Sequence, residues 1–358
     1  MKQNFIMAAA LACLCASCAN DSVIEENRAS DEIKFRVFAE GNTRADKVYC
    51  TSEKVDAFKV FATDAVGNLI IDGDEIELQG TTYVNTSATR YWPESGKLTF
   101  EALLNGDKNA DGKVPFTVAA TAAAQKDLIY AKAEGQKSDG QVTLNFRHAL
   151  SQVVFNAKNT NETLTVVVNS VKVGGVNNTG SYTLPEGFTT GQITEDANHN
   201  GDEDVTTGRG SWGDTSGYEA YTVTPSAAIT VGANATAISG ANSKDALMLI
   251  PGEYTKWAAN GKLSEATTGS YFVVDAKITQ KVKDTETEAV IWNGEIAIPA
   301  DFKWEEGKRY VYTFNFGNGN GGVDPEDPTK PVFVPIKFDV TVDEFVPANS
   351  EIEAGGAK

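Results

Sequence analysis

The chain has 358 residues, 49 acidic against 31 basic, and a formal net charge of −18. So acidic a surface argues against a nucleic-acid partner, whose phosphates need Lys and Arg. Three of the four cysteines (Cys13, Cys15, Cys18) fall within the first 18 residues, so Cys50 is left alone in the body and an internal disulfide framework is excluded.

Residues 1–17 read as a lipoprotein signal peptide. Lys2 supplies the positive start, Phe5 to Leu14 an apolar stretch, and Ala16-Ser17 precede Cys18, the residue to be acylated. Cys15 stands where Leu is usual, and Cys13, after Ala10-Leu11-Ala12, is the alternative acylation site. A plain secretory signal cleaved nearby is the simpler reading and keeps the export. Residues 18–44 form a propeptide: a polar tether, then a first strand from Ile33, then Thr43-Arg44-Ala45, where a trypsin-like protease would cut after Arg44. Arg28 is a second basic site, but it lies before the strand.

Short alternating runs with turn residues between them follow throughout. A first set runs over 45–165 and includes Val55–Ala62, Leu98–Ala102, Phe116–Ala120, Val142–Phe146 and Val153–Ala157. A second set over 166–316 begins with the run from Leu164 and includes Tyr221–Pro225, Ala246–Pro251, Tyr271–Asp275, Ile296–Pro299 and Tyr310–Phe316. The pattern predicts an all-β chain of two tandem antiparallel β-sandwich domains. Residues 317–331, rich in Gly, Asn, Pro and Asp, read as a flexible linker, and 332–358 as a C-terminal strand segment.

The two ends of the chain share a pattern. Residues 33–37 are Ile-Lys-Phe-Arg-Val, and residues 336–340 are Ile-Lys-Phe-Asp-Val. Each places its apolar residues on one face: Ile33, Phe35 and Val37 in the first, Ile336, Phe338, Val340 and Val342 in the second. If cleavage at Arg44 frees the first strand, the C-terminal strand of a neighbour fits the vacated groove. Pairing of 332–346 within its own chain is the alternative for an isolated molecule.

Candidate chemistry is sparse. His148 and Ser151 lie close in sequence, but no Gly-x-Ser-x-Gly elbow accompanies them, so a structural histidine is expected and no catalytic residue is assigned. Gly317–Gly322 matches Gly-x-Gly-x-x-Gly, yet Val-Asp-Pro-Glu-Asp-Pro follows, which cannot open a helix. Asp107-x-Asn109-x-Asp111-Gly112 and Asp196-x-Asn198-x-Asn200-Gly201 match half a calcium loop. Val118 and Thr207 replace the closing Glu, so turn chemistry is the expectation and no metal or cofactor is assigned. The five tryptophans (Trp92, Trp212, Trp257, Trp292, Trp304) are the residues a glycan-binding surface lipoprotein would use; most lie in or beside strand-like runs, which favours core packing.

The order of several short pieces resembles the fimbrillin family, the subunits of type V pili. These are the Cys18 signal, Thr43-Arg44-Ala45, Tyr91-Trp92-Pro93, Asp127–Ala131, Phe146-Arg147-His148-Ala149-Leu150-Ser151, Trp304 with Gly307–Tyr312, and the terminal alternating strand. The resemblance implies transthyretin-like sandwiches and an outer-membrane lipoprotein precursor cut by a trypsin-like protease. It also implies assembly with other fimbrial subunits by donor-strand exchange, at the cell surface and in support of adhesion. A tip or anchor subunit is the alternative role within the family, and a glycan-binding lipoprotein the alternative outside it.

Overall fold

The computed structural model describes residues 31–39, 55–189, 209–239, 246–282, 287–319, 321–330, 332 and 336–344. Cys18, Arg44, Cys50, His199 and the Asp196–Gly201 loop lie outside them.

The first part of the chain supplies β1 (Lys34–Ala39), β2 (Ala57–Asp64), β3 (Leu69–Gln79), β4 (Thr82–Asn85), β5 (Leu98–Leu104), β6 (Val114–Thr117), β7 (Ile129–Gly135) and β8 (Gln141–His148). All but β6 join one ring, in the order β1-β4-β3-β2-β5-β7-β8. Alternation fills it: Phe58, Val60 and Ala62 of β2, and Leu98, Phe100 and Ala102 of β5, point into one core with Ile71, Ile76, Leu144 and Phe146. The β2–β3 hairpin turns on Asp64, whose Oδ1 accepts the Val66 and Asn68 amides, and on Gly67, whose φ of 88° lies in the left-handed region that favours glycine.

The second part supplies β9 (Ser151–Asn159), β10 (Leu164–Val176), β11 (Thr179–Thr183), β12 (Ser211–Ser216), β13 (Glu219–Val223), β14 (Ile229–Val231), β15 (Thr236–Ala237), β16 (Leu247–Leu249), β17 (Gly252–Tyr254), β18 (Tyr271–Lys281), β19 (Glu288–Pro299), β20 (Phe302–Trp304), β21 (Lys308–Phe316) and β22 (Ile336–Glu344). Two larger sheets form, β13-β10-β18-β19 with β14 on β10, and β15-β9-β21-β22 with β16 on β9. Their inner faces meet through aromatic rings. Phe272 of β18 packs edge-on against Tyr312 and Phe314 of β21, with centroids 4.8 and 5.3 Å away, and against Phe155 of β9 at 5.9 Å. A smaller sheet, β12-β11-β6, joins the two parts. The helices among the described residues are single 3₁₀ turns, such as Ala122–Ala124, so the all-β expectation holds.

Two details differ from the expected organisation. The run Val153–Ala157 belongs with the second set rather than the first: β9 pairs in parallel with β21, Tyr310 opposite Val153 and Phe314 opposite Ala157. Strand pairing therefore changes hands between His148 and Ser151 rather than near residue 165. Alternation tells which face of a strand is buried, not which strand lies beside it. Part of the expected linker is also docked. Val323 and Ala297 exchange two backbone bonds of 2.9 Å, the Leu263 amide donates to the Pro325 carbonyl, and Val332 is buried. Two valines among the polar residues give that segment an apolar footing.

Candidate strand-exchange site

The first strand lies in a slot. β1 runs parallel to β8 over six residue pairs, Lys34 opposite Gln141 through Ala39 opposite Phe146. Its other edge meets β4 antiparallel, with Phe35 opposite Tyr83. Ile33, Phe35 and Val37 are buried, and the Phe35 ring packs edge-on against Phe58 and Phe100 at 6.2 and 5.8 Å. Lys34 and Arg36 point outward; the Arg36 guanidinium reaches the Thr143 hydroxyl at 3.5 Å. Each buried apolar side chain stabilises the seating by roughly 1.5–3 kcal/mol. No hairpin ties β1 to either neighbour: what joins it to β2 is the segment 40–56, in which Arg44 lies.

The entrance to the slot is pinned. The Ile33 amide donates to the Arg90 carbonyl and the Trp92 amide to the Asp31 carbonyl, both at 2.8 Å, with Glu32 opposite Tyr91. Arg90 is itself held by Asp74, which is 5% exposed: Nε and Nη2 donate to the two carboxylate oxygens at 2.7 and 2.8 Å, and the Asn85 carboxamide adds a third bond at 2.8 Å. The Arg90 hydrogen bonds hold the Asp74 carboxyl below its ordinary range, against the opposing effect of burial. Tyr91-Trp92-Pro93 stands out in the sequence, but this pair does not, because 15 residues lie between Asp74 and Arg90.

The C-terminal strand occupies an edge of its own chain. β22 pairs antiparallel with β21 along nine residues, from Ile336 opposite Phe316 to Glu344 opposite Lys308. Among the described residues no strand pairs with its other edge. Burial falls along the strand. Ile336 is buried, and Phe338 is half-buried against Phe272, Tyr312 and Phe314. Val340 and Val342 are 48% and 53% exposed. The first two of the four alternating residues are covered and the last two are not.

The Phe146–Ser151 motif sits at the joint between the two parts. Arg147 and His148 are buried, His148 Nδ1 pairs with Asp127, and the Ser151 hydroxyl donates to the Glu305 carbonyl at 2.7 Å. Trp212 Nε1 donates to the Ala149 carbonyl at 2.7 Å, and the Gly307 amide to the Leu150 carbonyl at 2.9 Å. Nearby, the Tyr130 and Tyr182 hydroxyls both donate to Glu306, at 3.0 and 2.9 Å; burial, then the Glu306 charge, pushes both phenols up. These bonds tie strands of the two parts together. In the Asp107–Gly112 loop the Asn109 side chain accepts the Asp111 and Lys113 amides, and Asp107 pairs with Lys59 at 2.5 Å. Trp92, Trp257 and Trp304 are buried, and Trp212 and Trp292 pack half-buried against the main core.

The fimbrillin-like family model matches residues 43–329. The chain belongs to the fimbrillin-like family. A fimbrial protein from Bacteroides vulgatus is similar to it at 15% identity, covering 87% of this chain and 99% of that one, with a TM-score of 0.48. A cell adhesion protein from Bacteroides uniformis is 15% identical over 88% and 98% of the two chains, TM-score 0.46. The fimbrial anchor protein Mfa2 from Porphyromonas gingivalis is 11% identical over 89% and 100%, TM-score 0.37. No curated protein sequence matches the chain. Membership places this fimbrillin-like chain among subunits of cell-surface appendages rather than among enzymes.

Proposed function

We propose that this fimbrillin-like chain is a structural subunit of a surface fimbria that polymerises by strand replacement. It is exported as an outer-membrane lipoprotein acylated at Cys18, cut after Arg44 by a trypsin-like protease, and joined to its neighbours through Ile336, Phe338, Val340 and Val342. The observation that carries the reading is the unequal seating of two strands with matching sequence. β1 fills a deep slot without a hairpin to hold it, and β22 is the edge strand of its sheet among the described residues, with Val340 and Val342 facing water. Losing β1 leaves unpaired N–H and C=O groups along an apolar groove. A strand from another molecule repairs both defects, as in pilin strand complementation. The contact is head-to-tail and does not close, so it builds a filament. The packing of all five tryptophans favours this reading over a glycan platform.

Limited trypsin treatment of the purified chain tests it. Monomer is expected to convert into a denaturant-resistant ladder, and Arg44→Ala or deletion of residues 332–358 to prevent it. A ladder that still forms after the deletion would show that the C-terminal strand is not the donor.

A further inference from the structure

Three exposed apolar side chains gather beside the slot entrance. Val66 is 83% exposed, and Ile70 and Tyr91 are 41% and 46% exposed. Val66, Ile70 and Tyr91, with Ala65, Pro93 and Leu98, line most of a cleft of about 480 Å³, whose lining also includes Asp64, Ser95 and Lys97. Tyr91 stands opposite Glu32, so the cleft opens where the chain enters β1. The chain's own strand meets this entrance with polar residues: Asp31 pairs with Lys137 at 2.7 Å, and Glu32 lies 3.9 Å from Lys34. Nothing in that pair of side chains complements an apolar cleft.

Overlaying Ile336-Lys-Phe-Asp-Val on Ile33-Lys-Phe-Arg-Val changes the chemistry at the entrance. Val334 and Pro335 take the places of Asp31 and Glu32, and Phe333 precedes them. The backbone bonds at the entrance use the Asp31 carbonyl and the Ile33 amide, which correspond to the Val334 carbonyl and the Ile336 amide. Neither bond uses the Glu32 amide, so proline, which has no N–H, fits that position without losing either. The replacing strand gives up two exposed ion pairs, Asp31 with Lys137 and Glu32 with Lys34, each a small loss, and brings two apolar side chains to the entrance.

We propose that this cleft is a docking surface for a second copy of the chain, taking Phe333 and Val334 of the incoming strand. This rests on the strand-replacement reading and adds a bias to it: the incoming strand brings Val334 and Phe333 to the entrance, where the resident strand brings Asp31 and Glu32. The exchange then runs toward polymer because the replacing strand is longer in its apolar contact than the strand it displaces.

A benzophenone-bearing residue introduced at Ile70, already exposed, tests this in the full chain. Heavy-nitrogen and unlabelled protein are mixed, treated with trypsin and irradiated, and the linked peptides are mapped by mass spectrometry. The expected product is a link from position 70 to the Phe333 peptide of another molecule, present only after trypsin. A Phe333→Asp, Val334→Asp variant should lose that link and lay down its ladder about tenfold more slowly. A wild-type ladder without the 70–333 link overturns the cleft and leaves strand replacement standing. A link from position 70 to the chain's own residues 19–30 before trypsin overturns it too, since the resident leader then fills the cleft. Failure of wild type to form any ladder removes the occupant and the reading together.

Discussion

Phe35 and Phe338 occupy the same place in two matching pentapeptides, and truncating them is expected to have unequal consequences. Phe35 is 5% exposed and wedged between Phe58 and Phe100. Phe35→Ala removes a fully buried ring from a closed ring of strands and should destabilise the uncut chain by about 3–5 kcal/mol. Phe338 is half-buried on an edge strand, so roughly half of that transfer and cavity cost applies, about 1.5–2.5 kcal/mol. The contrast sharpens down the strands. Val37→Ala deletes two buried methyl groups, about 1.5 kcal/mol or more, while Val340→Ala, at a site 48% exposed, should stay within about 0.5 kcal/mol. Urea unfolding measures the four changes, and native-state hydrogen exchange locates them. The β22 amides should exchange faster than those of β1, because an edge strand with an uncovered end opens without unfolding the rest. Equal destabilisation by Phe35→Ala and Phe338→Ala, or equal protection of the two strands, would refute the claim that one strand is seated and the other is held loosely.

Other expectations concern the slot and its supports. Asp74→Asn should cost about 1–3 kcal/mol by weakening the fork to Arg90, read as a lowered urea midpoint. Because the folded carboxyl is held below its ordinary 3.8, the stability it contributes is present above that value and is lost as pH falls through the lower folded value. An acid-unfolding curve of Asp74→Asn should therefore lose part of its slope below about pH 4 relative to wild type. Gly175→Ala should sharply reduce soluble, folded protein: φ there is +73°, and a Cβ would stand 2.1 Å from the Gly269 carbonyl oxygen. Cys18→Ala should abolish incorporation of a fatty-acid analogue, and continued labelling would move the anchor elsewhere.

What the sequence made legible was mostly inside single strands. Ile33, Phe35 and Val37 alternate with Lys34 and Arg36, and the first three are buried while the other two face water. Tyr310, Tyr312, Phe314 and Phe316 are buried at the same spacing, although Arg309 and Asn315 between them are buried too. Partnership between strands was not legible, because a period of two fixes a face and leaves the neighbour open; hence β9 lies with β21 rather than with the first set. Val340 and Val342 carry the same alternation as Val37 and yet are exposed. The cleft had a faint signal. Leu69-Ile70-Ile71 are three apolar residues in succession, and a strand can bury only alternate ones on one face; Ile71 is buried and Leu69 and Ile70 are not. The Asp74–Arg90 fork had none, as its partners meet only when β3 and the segment before Tyr91 come together.

Removal of the first strand is what makes replacement by another molecule necessary, so the most direct measurement is the N-terminal sequence of the protein recovered from assembled fimbriae. Strand replacement predicts a chain that begins at Ala45, without Ile33, Phe35 and Val37. Assembled protein that begins at Cys18, with lipid attached and the first strand retained, would contradict it.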